Sequence, residues 1–217
     1  MCDKIKTVIA SVLKPVDDTR MYEKIGLSMH QTNRYEINII GFVSKNLPCT
    51  EGIHFYPAFS MKRSSLKRFI ATFKLLRLFI RIKPTLIIIS TYEIIPAAWL
   101  YKQIRQGCKL IYDVRENYAL NVMSNGNGSL KSKWCASIIR WLETRLQAHV
   151  LLNILAEKSY ANETNYFSKF EFILNKMKRM KYYDRRDTPV KLDIECLKLV
   201  FSGTISLDYG VQQAIHF

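Results

Sequence analysis

Residues 83–117, KPTLIIISTYEIIPAAWLYKQIRQGCKLIYDVREN, leave few folds open to this chain. Residues 85–90 and 109–114 are short runs that are apolar almost throughout, whereas a strand with one face in water would alternate. Between them, over residues 94–106, apolar side chains recur at helical spacing, and Gly107 stands where a C-capping glycine would. Two buried strands joined by a helix of this length read as one βαβ crossover in a parallel sheet. Ligands collect at the carboxyl ends of such strands. Those ends carry Ser90-Thr91-Tyr92-Glu93 and Asp113-Val114-Arg115-Glu116-Asn117. The chemistry is expected there.

The rest of the chain extends the same pattern. A β-branched run at residues 6–13 predicts a first strand, ended by Lys14-Pro15 and followed by a helix over 19–30. Asp17 or Asp18 is placed to cap that helix, because a carboxylate accepts hydrogen bonds from its free N–H groups. Strands are predicted at 35–42 and 53–59, the latter at an edge because Pro57 cannot donate to a ladder. A helix over 61–83 carries Leu66, Phe69, Ile70, Phe73, Leu76, Phe79 and Ile80 as an apolar face. Beyond the crossover come a flexible loop at 118–130 containing NGNG and a helix over 131–147 that includes Trp134, Ile138, Trp141, Leu142 and Arg145. A strand at 150–155, a short helix at 160–167 and a strand at 170–174 complete a domain spanning 1–175. Residues 176–196 read as a basic connector. Residues 197–217 hold one strand, a turn and a helix start, which reads as the opening of an incomplete second domain. The expected class is α/β: a Rossmann-like, doubly wound, mainly parallel sheet plus the first βα unit of a truncated second domain.

Charge narrows the partners. The 217-residue chain has a net charge of +15 and a pI near 9.6. Such a surface attracts nucleic acid, anionic lipid or phosphorylated small molecules. No helix-turn-helix, RRM or zinc-finger pattern accompanies the charge, so nucleic acid is not expected as a partner. The five cysteines are scattered and form no CxxC or Cys/His cluster, and the four histidines are equally dispersed. Neither a disulfide framework nor a metal site is expected. The N-terminus has no signal peptide pattern, and no run of about 18 uncharged apolar residues exists. A reduced, cytoplasmic setting is expected.

Four stretches taken together resemble family 4 (group 1) glycosyltransferases: SVLKPVDDTRMYEKIG at 11–26, LIYDVRENY at 110–118, ILAEKSY at 154–160 and LVFSGTISLDYGVQQAI at 199–215. The resemblance implies the GT-B fold, two Rossmann-like domains. It also implies transfer of a sugar from a nucleotide-sugar donor, usually with retention and with no essential metal or other cofactor. It makes this chain the acceptor-side domain, acting on a polysaccharide or lipid-phosphate-linked acceptor. The family's donor-side glutamate pair would fall beyond Phe217, so the chain alone is expected to be a fragment without transferase activity. Two departures stand out. Many relatives have a glycine-rich first loop where this chain has Lys14-Pro15-Val16-Asp17-Asp18, and many carry His where it has Arg115.

Candidate residues follow from both readings. Asp113 and Glu116 are the candidate catalytic carboxylates. Lys14, Asp17, Asp18, Arg20, Tyr92, Glu93, Arg115 and Asn117 are candidates for substrate binding: Asp17 and Asp18 toward sugar hydroxyls, Lys14 and Arg20 toward a phosphate near a helix N-terminus. Gly203 and Thr204, at a strand-to-helix turn, are candidates for the donor diphosphate. The alternative role is helix capping for Asp17 and Asp18, loop capping for Asp113, Glu116 and Asn117, a macrodipole-stabilised helix carboxylate for Glu93, and solvated surface for Lys14 and Arg20. The helix at 61–83 carries eight Lys and Arg and lies in a stretch without any acidic residue from 52 to 92. Peripheral, electrostatic contact with the inner face of an anionic cytoplasmic membrane is expected there. The rival from another class is a non-catalytic flavodoxin-like binding or regulatory module.

Overall fold

The computed structural model describes residues 4–44, 47–59 and 68–176, together with Ile215. The chain divides into two units, Met1–Lys176 and Met177–Phe217. The basic connector beyond Lys176, Gly203, Thr204 and the βα unit expected at 197–217 lie outside the described residues, as do residues 61–67 of the basic helix.

Seven strands form one parallel sheet in the order β3-β2-β1-β4-β5-β6-β7. They are β1 (Ile5–Pro15), β2 (Tyr35–Phe42), β3 (Ile53–Phe59), β4 (Leu86–Ile89), β5 (Lys109–Val114), β6 (Val150–Leu155) and β7 (Phe170–Phe172). Pro57 does lie in an edge strand, β3. The winding starts at β1, proceeds to β3, then returns to the other side of β1 with β4. The switch point is therefore between β1 and β4, as in the dinucleotide-binding order 3-2-1-4-5-6 and unlike the flavodoxin order 2-1-3-4-5. The flavodoxin-like alternative thus loses its topology.

The strands are apolar on both faces because both are covered. Val8, Ala10, Ile87, Ile89, Leu110 and Tyr112 point to one core, shared with helices α2 (Arg68–Ile82), α3 (Ile95–Ile104) and α5 (Leu130–Gln147). Ile9, Ile37, Ile39 and Ile88 point to the other, under a π-helical segment Thr19–Gly26 that runs into α1 (Leu27–Gln31). Strand alternation with period two produces both cores from one set of β-branched runs.

Some local expectations are corrected. Residues 118–130 are mostly helical: α4 (Tyr118–Asn125) is capped by Asn117 and packs Tyr118 and Ala119 against Ala136 and Ile139 of α5. Gly107 does not cap α3. The helix ends at Ile104 with Arg105 as its C-cap, and a turn closed by Cys108 N–H donating to the Arg105 carbonyl (2.9 Å) carries Gly107 without positive φ. The helix expected over 160–167 is α6 (Tyr160–Glu163), because Thr164 is extended at φ −132°. Helix α2 buries Ala71, Leu75, Phe79 and Ile82, whereas Phe73 and Ile80, roughly opposite on the helical wheel, are exposed. The described part of the expected apolar face thus spans two sides of the helix. No helix among the described residues is long and apolar enough to cross a membrane.

One buried acid helps lock α5 to the sheet. Glu143 accepts hydrogen bonds from the hydroxyls of Tyr112 (2.5 Å) on β5 and Tyr166 (2.8 Å). Burial pushes the Glu143 carboxyl up, and the two tyrosines only partly offset this. The folded state therefore holds its proton more tightly than the unfolded chain. The associated stability is complete below the ordinary carboxylate range and is lost as pH rises through the raised folded value. Glu143→Gln keeps an acceptor for a tyrosine and removes the buried charge. Its melting temperature is expected above that of the parent at neutral pH, by about 2–4 °C per kcal/mol recovered, and equal to it in acid. Thermal melts across pH read this; a variant less stable at neutral pH would show that the ionised form is the better-held one.

Candidate binding site at the carboxyl ends of the strands

The site begins with a bulge. The β1–β2 register shifts between Ala10 and Pro15. There the Ser11 hydroxyl accepts from the backbone N–H of Leu13 and of Lys14, each at 3.1 Å. The freed strand end rides over Gly41 of β2, whose missing side chain leaves room for the Lys14 carbonyl. This carries Lys14, Asp17 and Asp18 to the switch point, the position where the two windings diverge.

Asp18 has two jobs. Its Oδ1 accepts from the N–H groups of Arg20 (3.2 Å) and Met21 (3.0 Å), which caps the π-helical segment, and from Arg115 Nη2 at 2.7 Å. The capping role expected for this pair of aspartates falls to Asp18. Asp17 instead accepts a hydrogen bond from the Ser44 hydroxyl just past β2. Asn117 caps α4 through Leu120 N–H (3.1 Å) and donates to Glu163 at 3.0 Å.

Arg20 and Asp113 lie beneath the site and not in it. Their side chains are 2% and 0% exposed. Arg20 Nε donates to both Asp113 oxygens (2.9 and 3.0 Å) and Nη2 donates to Oδ1 at 2.6 Å. Nη1 donates to the Ile173 carbonyl (2.6 Å) and to Asn175 Oδ1 (3.0 Å). The guanidinium is spent on the protein, so the expected phosphate contact of Arg20 is replaced by a structural one. Burial pushes the Asp113 carboxyl up, and the Arg20 fork pulls against it. A side chain without accessible surface does not touch a substrate, and Asp113 is corrected from candidate catalyst to support.

What remains at the surface is coherent. Lys14 Nζ lies 3.8 Å from Glu116 Oε1, both about a third exposed, and Glu116 also accepts from Asn121 at 3.1 Å. Leu13, Lys14, Phe42 and Glu116 line a cavity of about 210 Å³. The Arg115 side chain is only 9% exposed, yet its Nη1 has no hydrogen-bond partner among the described residues. Its carbonyl accepts from the Tyr160 hydroxyl at 3.2 Å, a phenol that burial pushes up to about 12. Tyr92 packs edge-on against Tyr118 at 5.3 Å, and the Tyr118 hydroxyl donates to the Ser90 carbonyl at 3.0 Å. Glu93, half-buried, lies in the first turn of the short 3-10 segment Tyr92–Ile94.

Lys14, Asp18, Arg115 and Glu116 are thus linked by two ion pairs across β1 and β5. The site residues not anticipated are Leu13, Phe42, Ser44 and Tyr160. Phe42 and Ser44 sit at the carboxyl end of β2, and applying the strand-end rule to every parallel strand would have found them. Among the described residues, no group of His, Cys, Asp and Glu is placed to hold a metal ion.

No model of a known protein family and no curated protein sequence matches the chain. Among solved structures it is similar to sucrose-phosphate synthase from Thermosynechococcus elongatus, at TM-score 0.55 and 10% identity over 79% of this chain and 48% of that one. A Listeria monocytogenes protein described as a UDP-N-acetylglucosamine 2-epimerase aligns over 74% of this chain and 41% of its own at 12% identity; its TM-score of 0.47 carries no argument. The first likeness shows architecture alone: the chain folds as a Rossmann-like, doubly wound α/β domain and spans about half the length of that synthase.

Proposed function

We propose that this chain is the acceptor-side domain of a GT-B glycosyltransferase of the family 4 kind. The reaction is transfer of a sugar from a nucleotide-sugar donor, with retention, to a saccharide or lipid-phosphate-linked acceptor. The observation that carries the reading is the Arg115 guanidinium: Nη2 is held by Asp18, and Nη1 is buried with no partner among the described residues. A buried donor left unpaired is costly, and a ligand oxygen is the natural remedy. Arg115 and Lys14 supply the positive charge for a phosphate of donor or acceptor, and their position at the switch point of the sheet suits such a ligand. Glu116 accepts a hydrogen bond from an acceptor hydroxyl, competing with Lys14 for that carboxylate. Asp17, Tyr92, Glu93 and Asn117 border the same strand ends, and Asp113 acts through Arg20 as a positioning residue. The role of Gly203 and Thr204 toward the donor diphosphate is proposed on the resemblance. No metal or other cofactor is required by this reading, and a cytoplasmic location fits it.

The test is binding. The full chain is titrated with UDP-glucose, glucose 1-phosphate and farnesyl phosphate by calorimetry. At least one is expected to bind saturably, and Arg115→Ala is expected to weaken it about 10–100-fold, the worth of a charge-assisted hydrogen bond. A thermal melt of the variant separates lost contact from lost fold. Failure of every phosphorylated compound to bind, or equal binding by Arg115→Ala, would reject the site. Saturable binding of FMN in their place would favour a non-catalytic binding module.

A further inference from the structure

Tryptophan is on average among the more buried residues, yet all three tryptophans of this chain lie at the surface. Trp99, Trp134 and Trp141 are 43%, 74% and 58% exposed. None belongs to the strand-end site. All stand on α3 and α5, two of the helices that cover the same face of the sheet.

Helix α5 is apolar along two opposite lines. Ala136, Ile139 and Leu146 are buried, packing inward. Leu130, Trp134, Ile138 and Trp141, spaced by four, four and three residues, are exposed and fall on one outer line. A helix facing water on that side would carry polar residues along it. Here basic residues flank the line: Lys131 to one side, Lys133 and Arg140 to the other, with Arg145 at its end, 5.7 Å from the Trp141 ring. The only carboxylate on either helix, Glu143, is buried against Tyr112 and Tyr166. Between α3 and α5 runs an open groove of about 470 Å³, lined chiefly by Ile95, Trp99, Trp141, Leu142, Arg145 and His149. The Trp99 indole N–H donates to His149 Nε2 at 3.2 Å, which fixes the ring at the mouth of that groove.

An exposed apolar line with tryptophans, flanked only by positive charge, is complementary to one kind of surface. Indoles settle at the headgroup level of a bilayer, and Lys and Arg beside them meet lipid phosphates. We propose that the outer face of α3 and α5 seats the protein on an anionic bilayer, with Trp134 and Trp141 entering the headgroup region and the groove beside Trp99 receiving an acyl segment. This moves the contact away from the basic helix α2, where Lys74 is already engaged with the Ala58 carbonyl and the Phe59 ring. It also changes the nature of the contact, from screened attraction alone to insertion aided by charge. The proposal stands apart from sugar transfer, because it uses other residues and needs no acceptor.

The experiment uses the full chain with vesicles of phosphatidylcholine mixed with phosphatidylglycerol, and with vesicles of phosphatidylcholine alone, at low and high salt. Tryptophan emission is expected to shift to the blue on the mixed vesicles and to be quenched by brominated acyl chains. Part of the binding should survive high salt. Trp134→Ala/Trp141→Ala is expected to lower partitioning at least about 10-fold, and Lys131→Glu/Lys133→Glu/Arg140→Glu to abolish the preference for anionic lipid. Phe73→Ala/Ile80→Ala on α2 and a circular dichroism melt serve as controls for position and fold. Three results would overturn the proposal: no spectral shift with either vesicle, undiminished binding by the tryptophan variant, or a concentration-dependent dimer that the tryptophan variant abolishes. The last would make the face a contact between copies of this chain. None of these readouts involves a phosphorylated sugar, so failure here leaves the strand-end site to its own test.

Discussion

Exchange of Arg20 for methionine is expected to cost the fold about 3–5 kcal/mol. The guanidinium satisfies both oxygens of Asp113 in a space closed to water, and donates at its margin to the Ile173 carbonyl and Asn175. Removing it strands a buried carboxylate and leaves two further acceptors without their donor. A domain is stable by only about 5–15 kcal/mol, so the variant should unfold far earlier in urea. Asp113→Asn keeps the shape and some of the hydrogen bonds and is expected to lose less. The double variant Arg20→Met/Asp113→Leu should recover much of the loss, because replacing both charges removes the desolvation cost along with the attraction. Urea titrations of the three variants decide it. A loss below about 1 kcal/mol for Arg20→Met would mean that water reaches the pair and that it does not clamp the fold.

Gly41→Ala is expected to damage the fold and the site together. A Cβ there would lie 2.7 Å from the Lys14 carbonyl, 3.0 Å from Val16 N and 3.1 Å from the Pro15 carbonyl carbon, all backbone atoms that cannot swing aside. Forced overpacking of this kind costs about 1–3 kcal/mol. It must also push the bulged end of β1, which carries Lys14, Asp17 and Asp18, away from Glu116 and Arg115. Lower melting temperature and weaker binding of phosphorylated ligands are expected together. Gly107→Ala is the control, since a Cβ there meets nothing within 4 Å and the backbone needs no positive φ. It should be neutral or slightly stabilising. If Gly41→Ala melts like Gly107→Ala, the close crossing of β1 over β2 is not tight in solution.

The sheet was legible because its signal is local. Residues 35–42, 53–59, 109–114 and 150–155 are read from apolar runs alone and coincide with β2, β3, β5 and β6. Pro57 marks the edge by its missing donor, and at the strand ends the rule singles out, Lys14 pairs with Glu116 and Arg115 with Asp18. What escaped is whatever depends on the third dimension. Arg20 and Asp113 look like solvated site residues in a sequence, since nothing local shows that they meet across 93 positions. The inner and outer lines of α2 both carry large apolar side chains, and only the sheet beneath decides that Leu75 is buried and Phe73 is not. The same holds for the tryptophans of α5, whose helical spacing says that they share a face without saying which. Helix α4 was hidden by the NGNG turn that follows it, although Asn117 gives it an ordinary cap.

The fork of Arg20 also sets a clock. Its partners stand 93, 153 and 155 residues downstream, so the contact closes only when nearly the whole of Met1–Lys176 has been made. Contacts this remote are slow to form, because chain entropy is surrendered before they repay it. On a ribosome the wait between synthesis of Arg20 and of Ile173 is about 8–30 s. An unpaired charge is costly to bury, which disfavours early packing around the polar end of β1. The full set of bonds that stabilises the finished fold can therefore close only after β5 and the segment after β7 have been made.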